Sequence, residues 1–197
     1  MWEILDKILI TAFKVIGIGI VLFIVFVIIV GPISEKIEAR KLRKVKNMDD
    51  LKKLDEGLQN NFIYEMALGY DEGKDYQKAD LELSFIQVLN IICWFNSEVN
   101  NGGLQQFLDN RLPEGMPVYL PQALEKIKAR KTLAKYQKFF ADNNLADYQT
   151  MDDESIEQLP WEEFDNWFFE KGTVEVENCM HKYALSGDLF AGKNEAR

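Results

Sequence analysis

Histidine and cysteine are nearly missing from this 197-residue chain, which has one histidine, His181, and two cysteines, Cys93 and Cys179. That scarcity excludes a disulfide-knit scaffold and a His-rich metal centre. The common phosphate-binding and nucleophile signatures are missing as well: there is no P-loop, no G-x-G-x-x-G and no G-x-S-x-G. Cys179 and His181 stand two apart, so on a helix they do not face each other. Cys93 lies in a strongly apolar stretch and reads as a small core residue, so a Cys93–His181 pair would depend wholly on tertiary proximity. No alternating β pattern and no internal repeat occurs. Apolar residues make up 47% of the chain, which excludes a disordered one.

Charge is unevenly divided. Residues 1–46 hold eight basic and four acidic side chains, net +4, which leaves 15 basic and 28 acidic, net −13, for residues 47–197. The acidic part repels nucleic-acid phosphates, so direct nucleic-acid binding is not expected. Residues 142–177 carry 12 acidic side chains and one basic, Lys171. If helical throughout, that stretch carries about one net charge per 5 Å, against one per about 1.7 Å for duplex DNA. One chain is an under-charged imitation of DNA, and a homodimer would come nearer.

The N-terminal part holds the one long apolar run. Residues 15–34 contain no charge, and 15 of the 20 are Val, Ile, Leu or Phe. Twenty helical residues span about 30 Å, a bilayer's hydrocarbon thickness. Insertion gains about 5–9 kcal/mol before the costs of Gly17, Gly19 and Pro32. A signal peptide would have a shorter run and small residues at its end, and a buried core helix is the other alternative. The expectation is a retained transmembrane helix, preceded by a short segment over residues 1–14 and followed by a basic juxtamembrane helical linker over residues 35–57. Lys36, Arg40, Lys41, Arg43, Lys44 and Lys46 follow the run, against Lys7 and Lys14 before it. This bias puts the C-terminal part in the cytoplasm, on the inner side of the cell membrane, and suits the collar to anionic headgroups.

Beyond the collar the pattern is all-α: a compact multi-helix acidic domain over residues 58–186 and a tail over 187–197. Residues 36–60 read as a helical continuation, with Leu51, Leu54 and Leu58 at helical spacing. Asp71, Asp75 and Glu82 match part of a calcium loop, but Gly73 and Tyr76 stand where a ligand and a glycine belong, so a plain turn is expected. Phe85, Val88, Leu89, Ile92, Phe95 and Val99 mark a central helix from about Asp80 to Asn100. Asn100, Asn101, Gly102 and Gly103 break it, and residues 104–110 form a short helix. Pro121 is suited to begin another helix, ending near Asn143. Residues 145–160 read as an acidic connector. Trp161, Phe164, Trp167 and Phe168 share a helical face, and Thr173 is placed to cap a last helix.

Two clusters stand out. Glu98 beside the Asn-Asn-Gly-Gly turn, with Gln105, Gln106 and Asn110, supports either a fold-defining turn or a polar enzymatic site. Asp152, Asp153, Glu154, Glu157, Glu162, Glu163 and Asp165 form a candidate partner face. They have no helical E-x-x-H partner for a catalytic metal, so no metal or other cofactor is expected.

Trp94, followed by E-V-N-N-G-G-L-Q-Q-F-L-D-N from Glu98 to Asn110, resembles the hallmark of the DNA-mimic protein nineteen family, a bacterial domain. Its pattern reads roughly E-V-N-N-G-G-F-x-Q-Y/F-F-x-N. The matching positions are Trp94, Glu98, Asn100, Asn101, Gly102, Gly103, Gln106, Phe107 and Asn110, with Leu104 where Phe is usual. The segments around Ala123 and Phe164 resemble later parts of the family, so the resemblance covers residues 58–186. It implies an all-α domain with no established enzymatic activity. The family takes its name from a member whose acidic face imitates DNA and occupies a DNA-binding regulator. Because a fold does not fix a function, the expectation is a membrane-tethered interaction module for a basic protein partner, a DNA-binding regulator or a toxin.

Overall fold

The computed structural model describes residues 31–70, 75–78, 81–187 and 189–190, without the side chains of residues 31–33, 75, 146 and 147. All regular structure among these residues is helical, and the chain divides into two compact units, Met1–Lys46 and Asn47–Arg197. The segment over residues 1–14 and most of the expected span over residues 15–34 lie outside the described residues. Among the described residues no helix is long and apolar enough to cross a membrane.

In the first unit, helix α1 (Gly31–Leu42) carries charged residues from Glu35 onward, and Lys36, Arg40, Lys41, Arg43, Lys44 and Lys46 are all exposed. The second unit opens with α2 (Met48–Lys52) and α3 (Glu56–Leu68). Residues 36–60 therefore do not form the single helix that the leucine spacing predicts. Asn47 and Asp55 each take a backbone N–H three residues on, from Asp50 at 2.9 Å and Leu58 at 3.0 Å, and so start new helices.

The core is built on α4 (Phe85–Arg111), which packs against α3, α5 (Met116–Ile127), α8 (Trp161–Trp167) and α9 (Thr173–Ser186). It begins later than the apolar pattern suggests because Ser84 and Gln87 close a capping box: Ser84 Oγ accepts from Gln87 N, and Gln87 Oε1 accepts from Ser84 N. Val88, Leu89, Ile91, Ile92, Phe95 and Val99 are fully buried. Each contributes about 1.5–3 kcal/mol by leaving water. The Phe95 ring makes T-shaped contacts with Phe107, further along α4, at 5.3 Å and with Phe168 at 5.1 Å between centroids, and the second ties α4 to the C-terminal part.

The predicted helix from Pro121 to Asn143 is two helices, α5 and α6 (Arg130–Asp142). They part at Lys128, which adopts the left-handed conformation at φ 66° while Ala129 N–H bonds back to Leu124 O at 3.0 Å. With neither Gly nor Asn at that position, composition gave no sign of the break. Moreover, α5 starts before Pro121, at Met116 with Pro117 in its first turn. Pro121 then lies inside the helix and leaves the Pro117 carbonyl without its helical N–H. The buried Tyr136 hydroxyl of α6 donates to that carbonyl at 3.3 Å.

The connector holds a 3-10 segment (Leu145–Thr150) and the short α7 (Asp153–Glu157). Thr173 does not cap a separate helix as expected. A π turn (Phe168–Gly172) joins α8 directly to α9, and Thr173 lies within the continuous run, its Oγ1 3.2 Å from Phe168 O. Tyr136→Phe should lower stability by about 1–2 kcal/mol by stranding the Pro117 carbonyl. Pro121→Ala restores a helical N–H to the same carbonyl and should shrink that loss. Urea titrations of the two single variants and the double variant check this coupling, and equal losses in both backgrounds would contradict it.

Candidate functional site

The Asn-Asn-Gly-Gly sequence breaks α4 where the composition predicts. Gly102 (φ −157°, ψ 19°) and Gly103 (φ 84°, ψ 179°) leave helical geometry, and helix resumes at Leu104. Gly103 occupies a region open essentially to glycine alone. A Cβ there would also stand 2.3 Å from Asp165 Oδ2. The approach has a purpose: Leu104 N–H, a free donor at the restarted helix, donates to Asp165 Oδ1 at 2.8 Å. Thus Asp165 is half-buried at the kink and apart from the exposed carboxylates with which the sequence groups it. Burial raises its carboxyl above the usual range, against the lowering effect of the Leu104 N–H.

Glu98 lies just before the break and is only 7% exposed. Its carboxylate accepts from four donors, all beyond the break: Gln106 Nε2 at 2.5 Å, Asn110 Nδ2 at 2.9 Å, and Arg111 Nε and Nη2 at 3.2 and 2.9 Å. Arg111 in turn lies 3.4 Å over the Trp94 ring and binds Glu114. Burial pushes the Glu98 carboxyl upward, but the bonds from Gln106, Asn110 and Arg111 and the guanidinium charge outweigh it, so the net shift is downward.

The remaining positions of the motif support the same join. Phe107 is fully buried on the far side. Asn100 Nδ2 donates to Asn96 O at 2.7 Å, and its Oδ1 accepts from Thr173 Oγ1 at 3.1 Å. Asn101 and Gly102 are exposed on the outside of the kink. Sequence reasoning missed Arg111, because no helical spacing relates it to Glu98 across a bend. It also missed Glu175, which takes Lys131 N–H at 3.1 Å and Thr132 N–H at 2.8 Å at the start of α6, where Ala129 provides no cap.

On the candidate partner face, Asp152, Asp153, Glu154, Glu157, Glu162 and Glu163 are exposed. Asp152 caps α7 through Ser155 N at 2.8 Å, and Glu163 meets Lys135 Nζ at 2.7 Å. Among the described residues no group of His, Cys, Asp and Glu is arranged to hold a metal ion. Asp71 of the calcium-like spacing lies outside the described residues. Cys93 and His181 are engaged elsewhere: Cys93 Sγ contacts Met180 Sδ at 3.5 Å, and His181 Nε2 bonds Gln59 Oε1 at 2.8 Å. Burial raises the Cys93 thiol far above its usual range, the reverse of what a nucleophile needs.

The fold and this site define an all-α domain organised around a broken, charge-stitched central helix. The DMP19-like protein family matches residues 81–186, more than half of the chain, and the chain belongs to that family. The match begins at residue 81, inside the 58–186 span of the resemblance. No curated protein and no solved structure matches the chain.

Glu98→Gln should destabilise the domain by about 2–3 kcal/mol near neutral pH, since it removes the charge from a buried pair while Glu114 retains Arg111. The folded-state carboxyl titrates below its unfolded value of about 4.3. Its contribution is therefore complete above that value and is lost as pH falls through the depressed folded one. Melting curves of both proteins against pH should converge only once the pH has fallen through the depressed folded-state range of Glu98.

Proposed function

We propose that this DMP19-like domain is an interaction module for a basic protein partner, a DNA-binding regulator or a basic toxin. The observation that carries this reading is how the acidic side chains are used. Asp165 and Glu175 serve as caps inside the fold, while the exposed Asp152 caps α7 and the exposed Glu163 pairs with Lys135. Asp153, Glu154, Glu157, Glu162 and Glu170 stay exposed along α7, α8 and the π turn. A surface charged so strongly in one sign attracts a basic partner and repels nucleic acid. The engagement of Glu98 by four donors favours a structural role for the motif over a polar enzymatic site.

In this reading residues 15–34 hold the chain in the inner membrane. Lys36, Arg40, Lys41, Arg43, Lys44 and Lys46 rest on anionic headgroups, and the acidic domain faces the cytoplasm. Two copies side by side would bring the charge density closer to that of duplex DNA.

Binding to a basic partner should weaken steeply as salt is raised. The detergent-solubilised full chain and a Glu157→Lys/Glu162→Lys variant, compared in partner pull-downs at low and high salt, test this. The variant should lose most low-salt capture, whereas capture insensitive to both salt and substitution would overturn the proposal.

A further inference from the structure

Among the described residues of the acidic unit, few large apolar side chains are exposed: Val118 at 69%, Phe169 at 48% and Val174 at 58%. Phe169 lies in the π turn, and Val174 is the second residue of α9. In a regular α-helix residues five apart diverge by about 140°, and the wider i→i+5 turn brings them closer to one side. Between them Thr173 Oγ1 donates to Asn100 Oδ1 at 3.1 Å. This hydrogen bond holds the stretch that carries them against Asn100, the residue before the exposed Asn101 and Gly102. The exposed carboxylates of Glu162, Glu170 and Glu177 flank this stretch, and Lys171 is the one basic residue of 161–177.

We infer that this face is the contact surface for a basic, amphipathic protein segment: an apolar side chain of the partner seats on Phe169 and Val174 while its Lys or Arg neighbours meet Glu170 and the Asn101 amide. The inference rests on the proposed function and refines it. Exposed carboxylates of α7 and α8 guide the encounter, and the face at the kink holds the partner. Charge complementarity selects the occupant, since a basic segment is drawn to this surface and an anionic bilayer is repelled. An apolar anchor ringed by polar groups is also the usual anatomy of a binding patch. The kink motif then serves recognition through its outward side as well as folding through its inward one.

The test uses the detergent-solubilised full chain and, as probe, a short amphipathic peptide of lysine and leucine, with affinity read by fluorescence anisotropy at low and high salt. Phe169→Ser/Val174→Ser should weaken binding about tenfold at both salts. Phe169→Trp should retain it, and Val118→Ser, an exposed apolar change outside the face, should leave it unchanged. Glu157→Gln/Glu162→Gln should weaken it mainly at low salt. Salt-sensitive binding that ignores Phe169→Ser/Val174→Ser, or that falls equally with Val118→Ser, overturns the inference and leaves the proposed function standing. No salt-sensitive binding by the unaltered chain overturns both. Dimers that dissociate in sedimentation when Phe169 and Val174 are replaced make the face a self-interface and overturn the inference.

Discussion

One buried carboxylate organises this domain. Glu98 ends the first half of α4, and all its hydrogen-bond donors lie on the second half. A helix broken at two glycines would otherwise hinge freely. A buried charge cannot be left unpaired without a large desolvation cost, so the second half is fixed wherever it brings Gln106, Asn110 and Arg111 to that charge. The Trp94 ring then supports the guanidinium from the first half. Asp165 closes the opposite side of the break by taking the Leu104 N–H.

The acidity of the chain has two uses that composition alone merges. Some carboxylates act as caps delivered from a neighbouring helix, as Glu175 does for α6 and Asp165 for the restarted α4. These satisfy donors that the local sequence leaves open, because Ala129 and Gly103 carry no capping oxygen. Other carboxylates have no such duty and remain in solvent. Fewer carboxylates are thus left without a structural duty than the charge count suggests.

The central helix and its break were readable from the apolar spacing of Phe85 to Val99 and from Gly102 and Gly103, since periodicity and glycine are local signals. The split at Lys128 was not, because a lysine held in the left-handed region is a tertiary outcome. Nor was the start of α5 before Pro121, where a hydroxyl from α6 makes an interior proline tolerable. At the site, Glu98, Gln106 and Asn110 were legible as one pattern. Arg111 was hidden because its partner sits across a bend whose angle no sequence spacing encodes. The cap that Asp165 supplies to Leu104 was hidden for a related reason: its charge is visible in sequence, and its direction is set by packing of α8 on α4.

The central claim is that Glu98 and Arg111 act as one clamp across the kink. A double-mutant cycle with Glu98→Gln and Arg111→Met, read by equilibrium unfolding, measures it directly. The account predicts a coupling of about 1–3 kcal/mol, the double variant losing less than the sum of the singles. Losses that simply add would contradict the clamp and the view that the motif is built around it.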